Sequence, residues 1–392
     1  MEAPNVENRL ISNRLEGVSA SGIRRFFDLA ASLEGVISLG VGEPDRPTPW
    51  HIREAAIYSL EKGYTTYTSN RGIAQLRQEI SRHLEADYGI SYDPETEILI
   101  TVGVSQGMDL AMRALVNTGD EVMVPDPAYV AYVPCILLAG GRPVPLPTSE
   151  ETGFLLSQDT VSNSITPRSK AIFFGYPANP TGAVMPREQL QAVARLVEKH
   201  NVIAVSDEIY AGLTYGVEHT CFASLPGMKE RTILLDGYSK TFAMTGWRLG
   251  FIAAPVELAD AITRLITNSV SCTASFEQMA GIAALTGPQD EVHRMVEEFH
   301  RRRDFIVKGL NEIKGVSCKN PGGAFYVFPN VREVPMTPEE LAPYLMREAG
   351  VACLPGTSFG EYGKGHLRFS YAVSHEEIEE ALTNMDKAIN NI

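Results

Sequence analysis

Six short apolar runs follow one another through the middle of the chain: "EILITVG" (97–103), "EVMVPDP" (121–127), "KAIFFGYP" (170–177), "VIAVSD" (202–207), "TILLDGY" (232–238) and "LGFIAAP" (249–255). Each is short for a helix and lacks the polar alternation of a half-exposed strand, so each reads as a strand buried on both faces. The segments between them are helical. "SQGMDLAMRALV" (105–116) has amphipathic spacing, "AYVPCILLAGG" closes on Gly140 and Gly141, and a further helix is expected from about Pro186 to His200. Buried strands separated by helices predict an α/β fold with a mostly parallel sheet between helical layers. From about residue 256 the pattern changes to longer helices, one of them charged near 289–314, interleaved with "GAFYVFP", "VACLPG" and "HLRFSYA". That is the pattern of a smaller α+β unit. The expected division is an N-terminal segment, 1–45, packing with the small domain, a large domain over 46–285 and the small domain over 286–392.

Bulk properties narrow the function by exclusion. With 392 residues, 44% hydrophobic, the chain can bury a large core. A net charge of -14 argues against a nucleic-acid partner or an anionic membrane surface. The five cysteines are scattered without a C-x-x-C, which fits a reducing compartment and gives no metal signature. No H-E-x-x-H occurs, and His293 and His300, seven residues apart on a predicted helix, read as a solvated face. The first residues hold no apolar signal core and no run approaches the roughly 18 residues of a membrane span, so a soluble cytoplasmic protein is expected.

In open parallel sheets ligands bind beyond the carboxyl ends of the strands, so the polar residues just past each run are the candidates. They are Val104 and Ser105 opening a helix, Asn179 in "ANPTG", Asp207 and Tyr210 in "SDEIY", and Ser239 with Lys240 after "TILLDGY". A helix start bearing Ser105, joined by Ser239 and Arg248, suits a phosphate. Asp207 suits a cationic ring nitrogen, Asn179 and Tyr210 a phenolic oxygen, and Lys240 an aldehyde carbon. One molecule carrying all four groups is pyridoxal 5'-phosphate.

These stretches also resemble a known family. "SLGVGEPD", "YTSNRGIAQLR", "ANPTG", "SDEIY", "SKTFAMTGWRLG", "GGAFYVFP", "PGTSFG" and "HLRFS" are similar, in order, to the signatures of the class I, fold-type I pyridoxal-phosphate aminotransferases, in the aspartate/aromatic group. The resemblance spans about residues 20–380 and implies a seven-stranded large-domain sheet. It implies that Lys240 binds the cofactor covalently and shuttles the substrate proton, and that Asp207 keeps the ring nitrogen protonated. Tyr129 would stack on the ring, and Val104, Ser105, Ser239 and Arg248 would hold the phosphate. Gly42, Asn179 and Arg368 would receive the substrate α-carboxylate. Tyr67 would reach the phosphate of a neighbouring subunit, making a homodimer with shared sites. The activity implied is ping-pong transfer of an amino group from an L-amino acid to 2-oxoglutarate. A C–S β-lyase of the same fold is the alternative, since it also begins by removing the α-proton. Arg46, where related sequences often have Phe, is expected near the pocket mouth, favouring acidic side chains.

Overall fold

The computed structural model describes residues 12–15, 17, 18 and 35–392. Most of the N-terminal segment, and its expected packing, therefore lies outside the described residues. The part that is described begins with a two-residue strand, β1 (Ile37–Ser38).

The main sheet holds seven strands: β2 (Ile98–Val102), β3 (Glu121–Asp126), β4 (Arg142–Pro147), β5 (Ser169–Gly175), β6 (Ile203–Asp207), β7 (Thr232–Gly237) and β8 (Leu249–Ala253). Their spatial order is β2-β8-β7-β6-β5-β3-β4. Continuous apolar runs are needed because both faces are covered. In β5, Ile172 and Phe174 enter one core while Ala171 and Phe173 enter the core on the other face. Every strand points the same way except β8, which is antiparallel to both β2 and β7. One edge of the sheet thus collects the carboxyl ends of six strands and the amino end of β8.

The edge strand β4, sequence "RPVPLP", is absent from the apolar runs, because three prolines argue against a strand. Its geometry removes the objection. The amides of Arg142 and Thr148 donate inward to Asp120 and Asp126 at 2.8 and 3.0 Å. Pro143, Pro145 and Pro147 alternate with these donors, so each missing N–H falls on the solvent side.

The second unit packs a three-stranded sheet, order β11-β12-β9, from β9 (Tyr326–Val327), β11 (Leu354–Pro355) and β12 (Leu367–Ser370). It lies against the helices Asp290–Glu312, Pro338–Glu348 and His375–Ile389. The last two start with capping boxes, Thr337 with Glu340 and Ser374 with Glu377. The run "VACLPG" divides: β10 (Val351–Ala352) pairs in parallel with β1, and only β11 joins β12. Leu39, just past β1, is buried in this same core. No described helix is long and apolar enough to cross a membrane.

Candidate active site

A cleft of about 600 Å³ opens where the carboxyl edge of the large sheet meets the smaller unit. Gly42, Val104, Ser105, Tyr129, Asn179, Asp207, Tyr210, Ser239, Lys240, Arg248 and Arg368 all line it. Of the residues singled out in the sequence, Tyr67 lies outside the cleft of its own chain, 88% exposed.

The backbone explains the convergence. β2 ends at Val102 and the helix Gly103–Leu115 starts immediately, leaving its first N–H groups and the positive end of its dipole at the cleft. Gly103 has φ +68, and a Cβ there would meet Arg248 Nη2 at 2.4 Å, so the guanidinium lies against the helix start. Arg248 reaches this place because β8 enters the sheet from the same edge that β7 leaves. Its Nη1 donates to the Thr245 carbonyl at 2.8 Å. Helix amides, Ser105, Ser239 and Arg248 together form a cradle suited to an anion.

Asp207 ends β6 as a buried carboxylate. The Tyr132 hydroxyl donates to its Oδ2 at 2.9 Å and the Ile209 amide to its Oδ1 at 3.2 Å. Burial pushes its pKa up to about 6, against the opposing pull of these two donors. The Lys240 ammonium donates to the Gly42 carbonyl at 2.6 Å. Burial, with Arg368 and Arg248 nearby, pushes the lysine down to about 8 despite Glu43 and Asp207. Its neutral, nucleophilic form is therefore accessible near neutral pH.

Arg368, on β12, is 4% exposed. Its guanidinium donates to Asn179 Oδ1 at 3.0 Å and to the Gly40 carbonyl, and packs 4.5 Å from the Tyr326 ring centre and 4.7 Å from that of Phe359. Nε has no partner, and no described carboxylate is among the groups acting on its charge. A buried cation left without a counter-ion is costly, so the site is built for an anion supplied from outside. Gly42 stands opposite: a Cβ there would lie 2.1 Å from the Tyr326 hydroxyl, so only glycine lets this segment approach.

Two functional partners escaped the sequence reading. Tyr132 holds Asp207, and Tyr326 shares a 2.7 Å hydrogen bond with the Tyr210 hydroxyl. Tyr132 sits three residues beyond Tyr129 in "PDPAYVAY", and its amide closes a turn onto the Tyr129 carbonyl at 3.1 Å just before the helix, a spacing that could have flagged it. Arg46 is a correction. It is not among the residues lining the cleft, but borders a separate hollow of about 170 Å³ with Phe242 and Arg294. The reason is its neighbour: Asp45 is ion-paired with Arg302 of the long helix at 2.9 Å, and the chain bends at Asp45 and Arg46.

The model of the family described as aminotransferase class I and II matches residues 34–385. The chain belongs to the class I and II aminotransferases. It is 42% identical over 382 residues both to aromatic-amino-acid aminotransferase 2 of Thermococcus litoralis and to the aspartate aminotransferase of Pyrococcus abyssi, covering 97% of this chain and 98% of each relative. Among solved structures, the aspartate aminotransferase of Thermus thermophilus with maleate superposes with a TM-score of 0.93 at 36% identity, over 97% of this chain and 100% of that one. This aminotransferase is thus a transaminase of the aspartate/aromatic type, with the fold of its solved relatives.

Proposed function

We propose that this aminotransferase uses pyridoxal 5'-phosphate to move the amino group of an L-amino acid, aspartate, aromatic or related, to 2-oxoglutarate by a ping-pong cycle through Lys240. The observation that carries the reading is the pairing of two sites for anions, the cradle at Arg248 and the buried Arg368, with Lys240 in the same cleft.

The residues fit the cofactor. Helix amides at Val104, with Ser105, Ser239 and Arg248, would hold its phosphate, Asp207 its ring nitrogen, Tyr210 and Asn179 its ring oxygen, and Tyr129 its face. When bound, pyridoxal phosphate supplies an electron-withdrawing ring that stabilises the negative charge left when the substrate Cα loses its proton. Arg368 and Asn179 orient the substrate α-carboxylate, which aims the Cα–H at Lys240. Lys240 takes that proton as a neutral amine and redelivers it as an ammonium. The unit of activity is a cytoplasmic homodimer with shared sites, in which Tyr67 reaches the partner's phosphate cradle. Its exposure supports this, as does that of the large side chains Trp50, Tyr58 and Tyr64. The domain division at about 45 and 285 stands as part of the same proposal, supported by the pairing of β1 with β10.

The test is a half-reaction followed by absorbance. Adding L-glutamate alone is expected to bleach the visible band of the bound cofactor, and 2-oxoglutarate to restore it. Aspartate and aromatic amino acids are expected to bleach it too, and their relative rates name the second substrate. Spontaneous return of the band with release of ammonia would make the protein a lyase instead.

A further inference from the structure

A second cavity, of about 810 Å³, lies on the other face of the large sheet, between the helices Ala74–Tyr88 and Asp290–Glu312. Asp236 and Tyr238 of the β7 segment project into it. Strand alternation explains this: Leu235 enters the core shared with the helix Gly103–Leu115, while Leu234 enters the opposite core, and Asp236 follows Leu234. The transamination cleft uses none of these side chains.

Both groups are buried and short of partners. Asp236 is 8% exposed and receives one side-chain hydrogen bond, from the adjacent Gly237 amide at 2.6 Å. The Tyr238 hydroxyl, on a residue 1% exposed, has no partner at all. A buried carboxylate in this condition is expensive and is found where something else completes it. The surrounding charges do not. Arg82 is taken up by Glu79 at 2.6 Å. His83 faces Asp87 at 3.3 Å, but burial holds its pKa below the ordinary value, so it adds no fixed cation. His293 and Glu297, from the long helix, are the remaining titratable groups on the rim. The balance is negative, and the walls, Phe251, Leu285, Val292 and Val296, are apolar.

We propose that this cavity is a binding site for a small organic ammonium ion, whose head pairs with Asp236 and whose body lies on the rings of Tyr88 and Tyr238. An aromatic lining beside a buried carboxylate is the chemistry that selects such cations. A metal ion fits less well, because no group of three or more His, Cys, Asp or Glu side chains among the described residues is arranged to hold one.

The test is isothermal titration calorimetry of the purified protein with N,N-dimethylbutylammonium. This tertiary amine cannot condense with an aldehyde in the catalytic cleft. Saturable binding is expected, weakened at least about tenfold in Asp236→Asn and also weakened in Val296→Phe, which narrows the cavity but keeps the carboxylate. Burial pushes the Asp236 carboxyl above its usual range, and a bound cation pulls it back toward the charged form, so affinity should rise with pH. The neutral N,N-dimethylbutanamide and sodium ion are expected not to bind. No saturable heat, equal binding by the amide or by sodium, or unchanged affinity in Asp236→Asn each overturns the proposal. The wild-type comparison decides the matter even if a variant fails to fold.

Discussion

Two buried aspartates stand on adjacent strands of one sheet, Asp207 at the end of β6 and Asp236 near the end of β7, and they line cavities on opposite faces. Both lose water, and both are pushed toward the neutral form. The difference lies in their neighbours. Asp207 has a tyrosine hydroxyl, a backbone amide and the nearby Lys240, and rises only to about 6. Asp236 has one backbone amide and no neighbouring cation to offset its burial, and rises well above the ordinary range. A buried carboxylate thus becomes useful near neutral pH through the donors placed around it, since burial alone favours its neutral form.

The contrast can be broken by mutation. The largest effect is expected for Lys240→Ala, which removes the group proposed to move the proton: transamination should fall by about 10⁴-fold or more, measured as kcat with glutamate and 2-oxoglutarate. A variant retaining a tenth of the activity would remove Lys240 from the mechanism. Next comes the aspartate pair itself. Asp207→Asn should slow kcat by about 10³-fold, corresponding to the roughly 4 kcal/mol of one charge pair at short range. Asp236→Asn should leave kcat within about twofold, because the cleft does not contain it. Similar losses in both variants would show that the two faces are not independent.

Arg368→Lys should cost about 10²-fold in kcat/KM, carried mainly by KM, because a point charge cannot reproduce the fork that a carboxylate engages. Among the cleft residues the smallest loss is expected for Tyr132→Phe. Its hydroxyl lowers the Asp207 pKa, so its loss raises it and enlarges the protonated fraction at any given pH. The acid limb of the rate profile should therefore move to higher pH, with a rate loss of about tenfold on that limb. A shift to lower pH would reverse the sign of the argument.

Much of the site was legible because its chemistry sits on short motifs after buried strands. Asn179, Asp207, Ser239 and Lys240 each follow an apolar run, and parallel topology brings such ends together without knowledge of any contact. What stayed hidden depended on three-dimensional pairing. The strand β4 was masked by prolines whose missing donors face solvent, a fact visible only once its inner neighbour is known. Tyr132 and Tyr326 carry no local mark of their roles, because their hydroxyl partners come from residues 75 and 116 positions away, in Asp207 and Tyr210. Arg46 was expected at the cleft from its place beside "GEPD", but the ion pair of Asp45 with the long helix sets its position instead. His293 read as a solvated helix face and is exposed, at the rim of a cavity that no local pattern announces.

The central claim is that Lys240 carries the cofactor in this cleft. Purified protein reduced with borohydride, digested and analysed by mass spectrometry tests it directly. The account predicts a phosphopyridoxyl group on the peptide containing Lys240, and its absence from Lys240→Ala. A label on another lysine, or none on protein that transaminates, would contradict it.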